Sequence, residues 1–417
     1  MAEIRNIQNV NPWWQSEFEP KSLPEFSLRK RFAYHRAQQV LNETKLMLQI
    51  KGLRRLGKST IMKQLILDLL EQKVDLPKIE PQKIIFYEFS KLSTDLSNIL
   101  QRAPQGSYIF LDEIQYCDNW RDVLKEHYDT NATTRIIFSG SATLSYTITK
   151  ESLLGRFMPL DLKPLHYQEY LYLKYGSKDN LLLYNDAELW EYLQYGEFPE
   201  LLQIKSDNLK QAYLQDSVLT PLLTQDISLY NVDKKEQFAA IFKAISSDPG
   251  QVVSKKNLAR EIGLSRPAID KYLAILTDVG LIKTISNYYT SSRKELRSDK
   301  KIYITTLNLA LAYLGISDLK NFPTAAFRGH IFENFVFNEL SVQHKQIYYW
   351  KRQSKELDFL VTKTDKTLLA YEVKAAASIN QKHLAKYKRY ASQIKADLEM
   401  LNWNIEEKQS NLLKLLR

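Results

Sequence analysis

Short apolar runs alternate with stretches of helical period along the first third of the chain. Lys45–Ile50 reads as a buried strand, and Ile61–Leu70 carries apolar residues at helical spacing. Ile84–Phe89, Ser107–Leu111 and Thr134–Phe138 are further apolar runs of strand length, each followed by small or polar residues. Strands that are apolar without alternation are buried on both faces, so the pattern predicts a parallel sheet covered by helices. From Tyr167 to Lys235 the pattern turns helical and rich in aromatic residues, suited to packing. After Asp248-Pro249-Gly250 the elements shorten. Lys256–Ile262 and Arg266–Leu276 read as helices joined at Gly263, with Ser265 as N-cap and Pro267 in the first turn. Val279–Ser286 then reads as a strand, and Tyr288–Lys301 as a hairpin wing and its return strand, which makes a helix-turn-helix with a wing. The last hundred residues predict an amphipathic helix over Arg328–Glu339 and three strands, Tyr348–Trp350, Glu356–Val361 and Leu369–Lys374.

The junctions of these elements hold the candidate chemistry. Between the first strand and the first helix stands Gly52-Leu53-Arg54-Arg55-Leu56-Gly57-Lys58-Ser59-Thr60. Strand, glycine-bounded loop and helix together aim backbone N–H groups and a helix N-terminus at phosphate oxygens, as in a Walker A loop. Gly52 and Gly57 allow close backbone approach, Lys58 reaches the β- and γ-phosphates, and the Ser59 hydroxyl serves Mg²⁺. Ser107–Leu111 ends in Asp112-Glu113, the Walker B pattern: Asp112 holds Mg²⁺, directly or through water, and Glu113 orients or deprotonates the attacking water. The third strand ends in Ser139-Gly140-Ser141. In a parallel sheet its end lies beside the other two, where Ser139 or Ser141 can meet the γ-phosphate or the water. Arg156, in Leu153-Leu154-Gly155-Arg156-Phe157, is a candidate for transition-state charge, in its own subunit or a neighbour's; a surface salt bridge is the alternative.

Taken in order, these motifs, together with Leu162–Tyr170 and Tyr195-Gly196-Glu197-Phe198-Pro199-Glu200, resemble the archaeal-type AAA+ ATPases that carry a C-terminal domain of unknown function. The resemblance runs from about Asn11 to the C-terminus. Asn11-Pro12-Trp13-Trp14 is similar to that family's opening segment, with the two tryptophans expected to pack. It departs at Leu53, where the family often has proline. The resemblance implies ATP and Mg²⁺ as cofactors and ATP hydrolysis as the activity.

In the C-terminal strands, Asp358 and Glu372-Val373-Lys374 resemble the core of PD-(D/E)xK nucleases. Residues two apart on a strand share a face. Asp358 and Glu372 would bind Mg²⁺ with help from Glu333, and Lys374 would position or activate water. The same fold serves equally for binding without cleavage. Lys382, Lys386, Lys388 and Arg389 beyond the last strand offer cations to a nucleic-acid backbone.

Charge points the same way. The chain of 417 residues has a net charge of +10, and between Gly250 and Lys301 eleven Lys and Arg face five Asp and Glu. Arg266 and Lys271 fall on the second helix of the helix-turn-helix, and Arg293, Lys294 and Arg297 on its wing, a disposition suited to phosphate contacts. DNA is thus the expected partner, and a protein docked on the same module is the alternative. Cys117 is the single cysteine, which excludes an internal disulfide and thiol-metal clusters. No apolar run is long enough for a bilayer and the first residues lack signal-peptide order, so a cytoplasmic protein is expected, possible as a homo-oligomer. The expected architecture is α/β: a P-loop AAA+-like parallel sheet (1–165), a helical lid or linker (166–235), a winged helix-turn-helix (236–310) and a C-terminal α/β restriction-endonuclease-like domain (311–417).

Overall fold

The computed structural model describes residues 8–73, 78–90, 95–131, 133–140, 153–177, 184–230, 232–296, 298–375, 380–403 and 411–416. The chain divides into two compact units, 1–163 and 164–417.

The first unit is built on a five-stranded sheet. Its strands are β1 (Met47–Lys51), β2 (Ile84–Glu88), β3 (Tyr108–Asp112), β4 (Arg135–Gly140) and β5 (Phe157–Asp161), in the order β2-β3-β4-β1-β5. Every pairing is parallel, with Ile50 opposite Ser139 and Phe110 opposite Ile137. All five C-terminal ends therefore lie along one rim, and the loops after β1, β3 and β4 are brought side by side. The inner strands are buried along their length, as continuous apolar runs require. Strand β5 had no alternation to betray it. It is an edge strand and carries Pro159, which a central strand would not tolerate.

At the other edge the opening segment closes β2. The Asn11 side chain accepts from the Phe86 N–H (2.6 Å) and donates to the Phe86 carbonyl (2.9 Å), as a neighbouring strand would. The indole N–H groups of Trp13 and Trp14 both donate to the Ile84 carbonyl, at 2.8 and 2.9 Å. An exposed row of strand donors and acceptors is a template for aggregation, and this segment covers it.

In the second unit, α1 (Lys235–Ser247), α2 (Lys255–Ile262) and α3 (Arg266–Val279) precede an antiparallel pair, β6 (Ile282–Ser286) and β7 (Lys300–Ile304). Ser254 and Ser265 cap α2 and α3, and Gly263 and Gly280 end them in the left-handed conformation. Helix α4 (Ala325–Gln343) follows, then β8 (Tyr348–Arg352), β9 (Lys355–Thr362), β10 (Leu368–Lys374), helix α5 (Gln381–Ser392) and β11 (Ala396–Asn402). These strands form a sheet of order β11-β10-β9-β8, antiparallel except for β10 with β11.

The boundaries expected at 235/236 and 310/311 fall inside one compact unit. Two asparagines explain the continuity. Asn287, just past β6, donates to the Lys351 carbonyl (3.1 Å) and accepts from its N–H (3.0 Å), while the Tyr288 N–H reaches the Tyr349 carbonyl at 2.7 Å. Asn334 on α4 makes the same paired contact with Ile304 of β7, at 2.8 and 2.7 Å. The segment expected as a projecting wing instead contains a short helix, Ser292–Leu296, and its strand runs on into the edge of the C-terminal sheet. Arg297 lies outside the described residues.

Two buried carboxylates in this unit contribute to its pH dependence. Glu197 accepts from the Asn308 N–H at 2.8 Å, and burial pushes its carboxyl up to about 8 despite that bond. Glu339 on α4 accepts from the Tyr167 N–H at 3.0 Å, and burial raises it to about 7. Both are protonated in the fold where the unfolded chain has already ionised. Their stabilisation is full below the unfolded value near 4.5 and is lost as pH rises through 7 to 8. The melting temperature is therefore expected to fall as pH rises from about 4.5 to about 8 and to level off above that. Each pKa unit amounts to about 1.4 kcal/mol. Glu197→Gln should flatten the profile, and a profile unchanged by this substitution would refute the assignment.

Candidate functional site

The loop after β1 is pressed between its neighbours. A Cβ on Gly52 would lie 2.3 Å from the Leu162 carbonyl oxygen, so no larger residue fits without displacing backbone. Leu162 is itself fixed by its N–H on the Lys51 carbonyl (2.7 Å). Gly57, at φ +93°, turns the chain into the helix Lys58–Leu70. Leu53 and Leu56 are buried and anchor the loop, whereas Arg54 is partly exposed, its guanidinium 3.0 Å from the Tyr116 hydroxyl, and Arg55 is exposed. The buried Arg31 holds the loop from behind, donating to the Leu56 carbonyl and to the Lys163 carbonyl, both at 2.9 Å. Arg31 carries no sequence signal, since it sits in an ordinary Arg-Lys-Arg run.

Lys58 is buried and folds back over the loop, 3.2 Å from the carbonyls of Gly52 and of Leu53 and 3.8 Å from a Glu113 carboxylate oxygen. Asp112, at the end of β3, is 2% exposed and takes hydrogen bonds from the Ser139 and Ser59 hydroxyls. Burial raises its pKa even so. Glu113 stands in the left-handed conformation (φ 53°), which swings its side chain off the strand line, and the Gln115 amide donates to its carboxylate. Ser139 also lies 3.4 Å from the Glu113 N–H. Thr60 occupies the first turn of the helix after the loop. The rim thus brings together Gly52, Leu53, Arg54, Leu56, Gly57, Lys58, Ser59, Asp112, Glu113 and Ser139. Ser141 lies outside the described residues.

Arg156 does not join them. Its carbonyl accepts from the Met47 N–H at the start of β1, the end of the sheet away from the loop. Four residues of strand separate Met47 from Lys51, about 13 Å at 3.3 Å per residue. The guanidinium forms a two-pronged pair with Asp129, at 2.8 and 2.9 Å. A role toward the nucleotide of its own subunit is therefore corrected: the parallel register, with Met47 opposite Phe157, fixes this segment at the wrong rim.

In the second unit the strand residues singled out by sequence do converge. Lys374 Nζ is 2.5 Å from Glu372 Oε1, and Asp358 Oδ2 accepts from the Val373 N–H at 2.8 Å. Burial raises both Asp358, with the charge of Glu333 adding to it, and Glu372, with the charge of Asp358 adding to it, and burial is outweighed at Lys374, which Glu372 and Asp358 keep protonated.

Glu333 is differently engaged. Lys301 Nζ from β7 lies 3.1 Å from Glu333 Oε1, 2.9 Å from Glu356 Oε1 and 4.0 Å from Asp358 Oδ1. The Tyr303 hydroxyl, two residues on and on the same face, donates to Glu333 Oε1 at 2.7 Å. Among the described residues no three His, Cys, Asp or Glu side chains are grouped to hold a metal ion. The expected set Glu333, Asp358 and Glu372 is corrected accordingly, because an ammonium stands between Glu333 and Asp358. Lys301 had counted among the basic residues of a surface hairpin, yet its side chain is 4% exposed. The alternation of Lys301 and Tyr303 with two isoleucines was the one available sign.

Comparison with known proteins places this geometry. Residues 44–171 match the family described as AAA domain, residues 186–320 a domain of unknown function (DUF8612) and residues 328–410 another (DUF4143). An uncharacterized protein of Methanocaldococcus jannaschii is 26% identical over 375 residues, spanning 86% of this chain and 82% of that one. An uncharacterized protein of Haemophilus influenzae is 24% identical over 344 residues, 78% of this chain and 82% of that one. Among solved structures, the Walker-type ATPase PABY2304 of Pyrococcus abyssi is similar at 17% identity and a TM-score of 0.41, covering 72% of this chain and 99% of that one. The family match, on the loop and five-stranded parallel sheet just described, makes this portion of the chain an AAA-type P-loop ATPase domain. Among the described residues no helix is long and apolar enough to cross a membrane.

Proposed function

We propose that the chain is a Mg²⁺-dependent ATPase whose nucleotide cycle drives a DNA-directed second unit. The observation that carries the first half is the convergence of Lys58, Ser59, Asp112, Glu113 and Ser139 on one rim. Loop N–H groups from Gly52 to Thr60 and the ammonium of Lys58 receive the phosphates. Ser59 and Asp112 fit a hard cation: both offer oxygen, they already touch, and burial leaves the Asp112 charge poorly compensated. Mg²⁺ bound there supplies charge neutralisation at the β- and γ-phosphate oxygens. Glu113 aligns the attacking water and takes its proton, while Ser139 holds the Asp112 carboxylate in place. From its position, Arg156 can meet a nucleotide only across an interface between copies of the chain.

For the second unit, the capped helix pair α2–α3 with its β6–β7 hairpin supports a winged helix-turn-helix spanning 236–310, after a helical lid over 166–235. Lys256, Arg260 and Arg266 are exposed on its helices, and Arg293 and Lys294 on the short helix that replaces the wing. Such a basic surface suits phosphate contacts without base readout. The Asp358, Glu372 and Lys374 arrangement supports a PD-(D/E)xK-like fold over 311–417. Neutralisation of its carboxylates by Lys301 favours the reading in which that fold binds without cutting, and a protein partner is then the alternative to DNA.

The test is ATP turnover with and without Mg²⁺, in the presence of linear, branched or single-stranded DNA, with binding measured across salt. Turnover requiring Mg²⁺, stimulated by one DNA form, and a binding constant that falls by roughly 0.9 log unit per phosphate contact per log unit of salt are expected. Absence of turnover would overturn the ATPase reading. Turnover indifferent to every DNA form, without binding, would overturn the DNA half.

A further inference from the structure

We propose that Lys301 is a built-in counter-cation that keeps divalent metal out of the carboxylate cluster of the C-terminal sheet. The inference rests on the nuclease-like reading of residues 311–417 only for the class of cation that is excluded.

Four carboxylates are linked here through Lys301 and Lys374, with no three of them grouped as a metal would need: Glu333 from α4, Glu356 and Asp358 from β9, and Glu372 from β10. Lys301 touches two and approaches a third, while Lys374 pairs with Glu372 and Lys351 with the second oxygen of Glu356 at 2.7 Å. The Tyr387 hydroxyl also bears on the Glu372 carboxylate. Glu372 Oε2 is buried and makes no hydrogen bond among the described residues, in a residue 2% exposed.

A divalent ion and Lys301 cannot share this space. Mg²⁺ or Mn²⁺ binds carboxylate oxygen at about 2.1 Å. Lys301 Nζ already stands 3.1 Å from Glu333 Oε1 and 4.0 Å from Asp358 Oδ1, in the space an ion held by these carboxylates would need. Two positive centres held on the same pair of oxygens repel strongly in a buried setting. The Lys301 side chain is 4% exposed, and its base is fixed. Its backbone pairs with Ile285 of β6 on one side and bridges Val252 on the other, and Tyr303, on the same face, holds Glu333. The counter-cation is therefore supplied by the hairpin of the preceding segment, and the Asn334 clamp on Ile304 keeps β7 in register with α4.

Mn²⁺ binding to the full chain, read by electron paramagnetic resonance and calorimetry, tests this. All proteins carry Asp112→Asn, which removes the nucleotide-site carboxylate from the count. The Lys301 form is expected to bind no Mn²⁺ in the cluster. Lys301→Met, which keeps the aliphatic stem, should gain one site at least about tenfold tighter, a change of about 1.4 kcal/mol. Adding Asp358→Asn should abolish the gain. A buried carboxylate left unpaired can prevent folding, so Lys301→Met with Glu333→Gln serves as a second variant carrying one charge fewer. The Lys301 form decides the matter by itself: Mn²⁺ bound there and lost in Asp358→Asn overturns the proposal, as does a folded Lys301→Met protein that gains no site. The two readings fail separately. A gained Mn²⁺ site without DNA binding or cleavage upholds the counter-cation and sinks the nuclease-like reading, whereas Mn²⁺ binding and DNA cleavage with Lys301 in place do the reverse.

Discussion

Replacing Glu113 by Gln is expected to lower ATP turnover by roughly 10²–10⁴-fold, the range that removal of a positioned general base produces, with nucleotide affinity held within a few fold. The expectation follows from where the carboxylate stands. It projects from a left-handed residue immediately after β3, 3.8 Å from Lys58 Nζ, with the Gln115 amide steadying it. That long pair with Lys58 is its one described tie to the phosphate-binding loop, so its loss should appear mainly in turnover and little in binding. Gln keeps the volume and the hydrogen bond to Gln115 but cannot take a proton. Single-turnover kinetics together with binding of a fluorescent ATP analogue would separate the two. Unchanged turnover would remove Glu113 from the chemistry, and a parallel loss of affinity would make it a phosphate-site residue.

Gly52→Ala should damage both the stability of the first unit and its nucleotide affinity. The new methyl carbon would fall 2.3 Å from the Leu162 carbonyl oxygen, a backbone atom that cannot rotate away. Relief requires parting the loop from the segment after β5, which would strain the Leu162 N–H bond to the Lys51 carbonyl. Overpacking of this sort costs about 1–3 kcal/mol, and here the upper end is expected. For a domain of this size that is a loss of roughly 6–12 °C in melting temperature. Gly106→Ala is the control. It too has a positive φ, at +78°, but its Cβ would meet nothing within 4 Å, so only the cost of the left-handed conformation applies, about 1–2 kcal/mol. Equal effects at the two positions would show that close approach at Gly52 is unimportant.

These two sites differ in how visible they were. Lys58, Asp112 and Glu113 could be read because each sits where a strand ends, and parallel strands deliver their ends to one rim whatever the intervening loops. Arg156 misled for the same reason. It had a suggestive motif but no strand assigned after it, and the direction of β5 alone decides that it lies at the far rim, paired with Asp129. Arg31 was invisible, since its value comes from two carbonyls, Leu56 and Lys163, the latter more than a hundred residues away.

The C-terminal unit sharpens the contrast. The strands bearing Asp358, Glu372 and Lys374 were legible from alternation, and the structure brings these residues together. Lys301 was read only as a charge, its alternation with Ile302 and Ile304 passing unused. Its burial, and its contact with Glu333 and Glu356, arise because β7 is held to α4 by Asn334 and the strand beyond β6 runs into β8 through Asn287. By itself the sequence determined the elements, the phosphate loop and the acidic strand ends, because periodicity and turn chemistry act over a few residues. Tertiary structure alone decided which rim each loop reaches, which charges are buried, and that a lysine stands where a metal was expected. Those outcomes depend on register and on side-chain clamps between residues distant in the chain, and local pattern does not encode them.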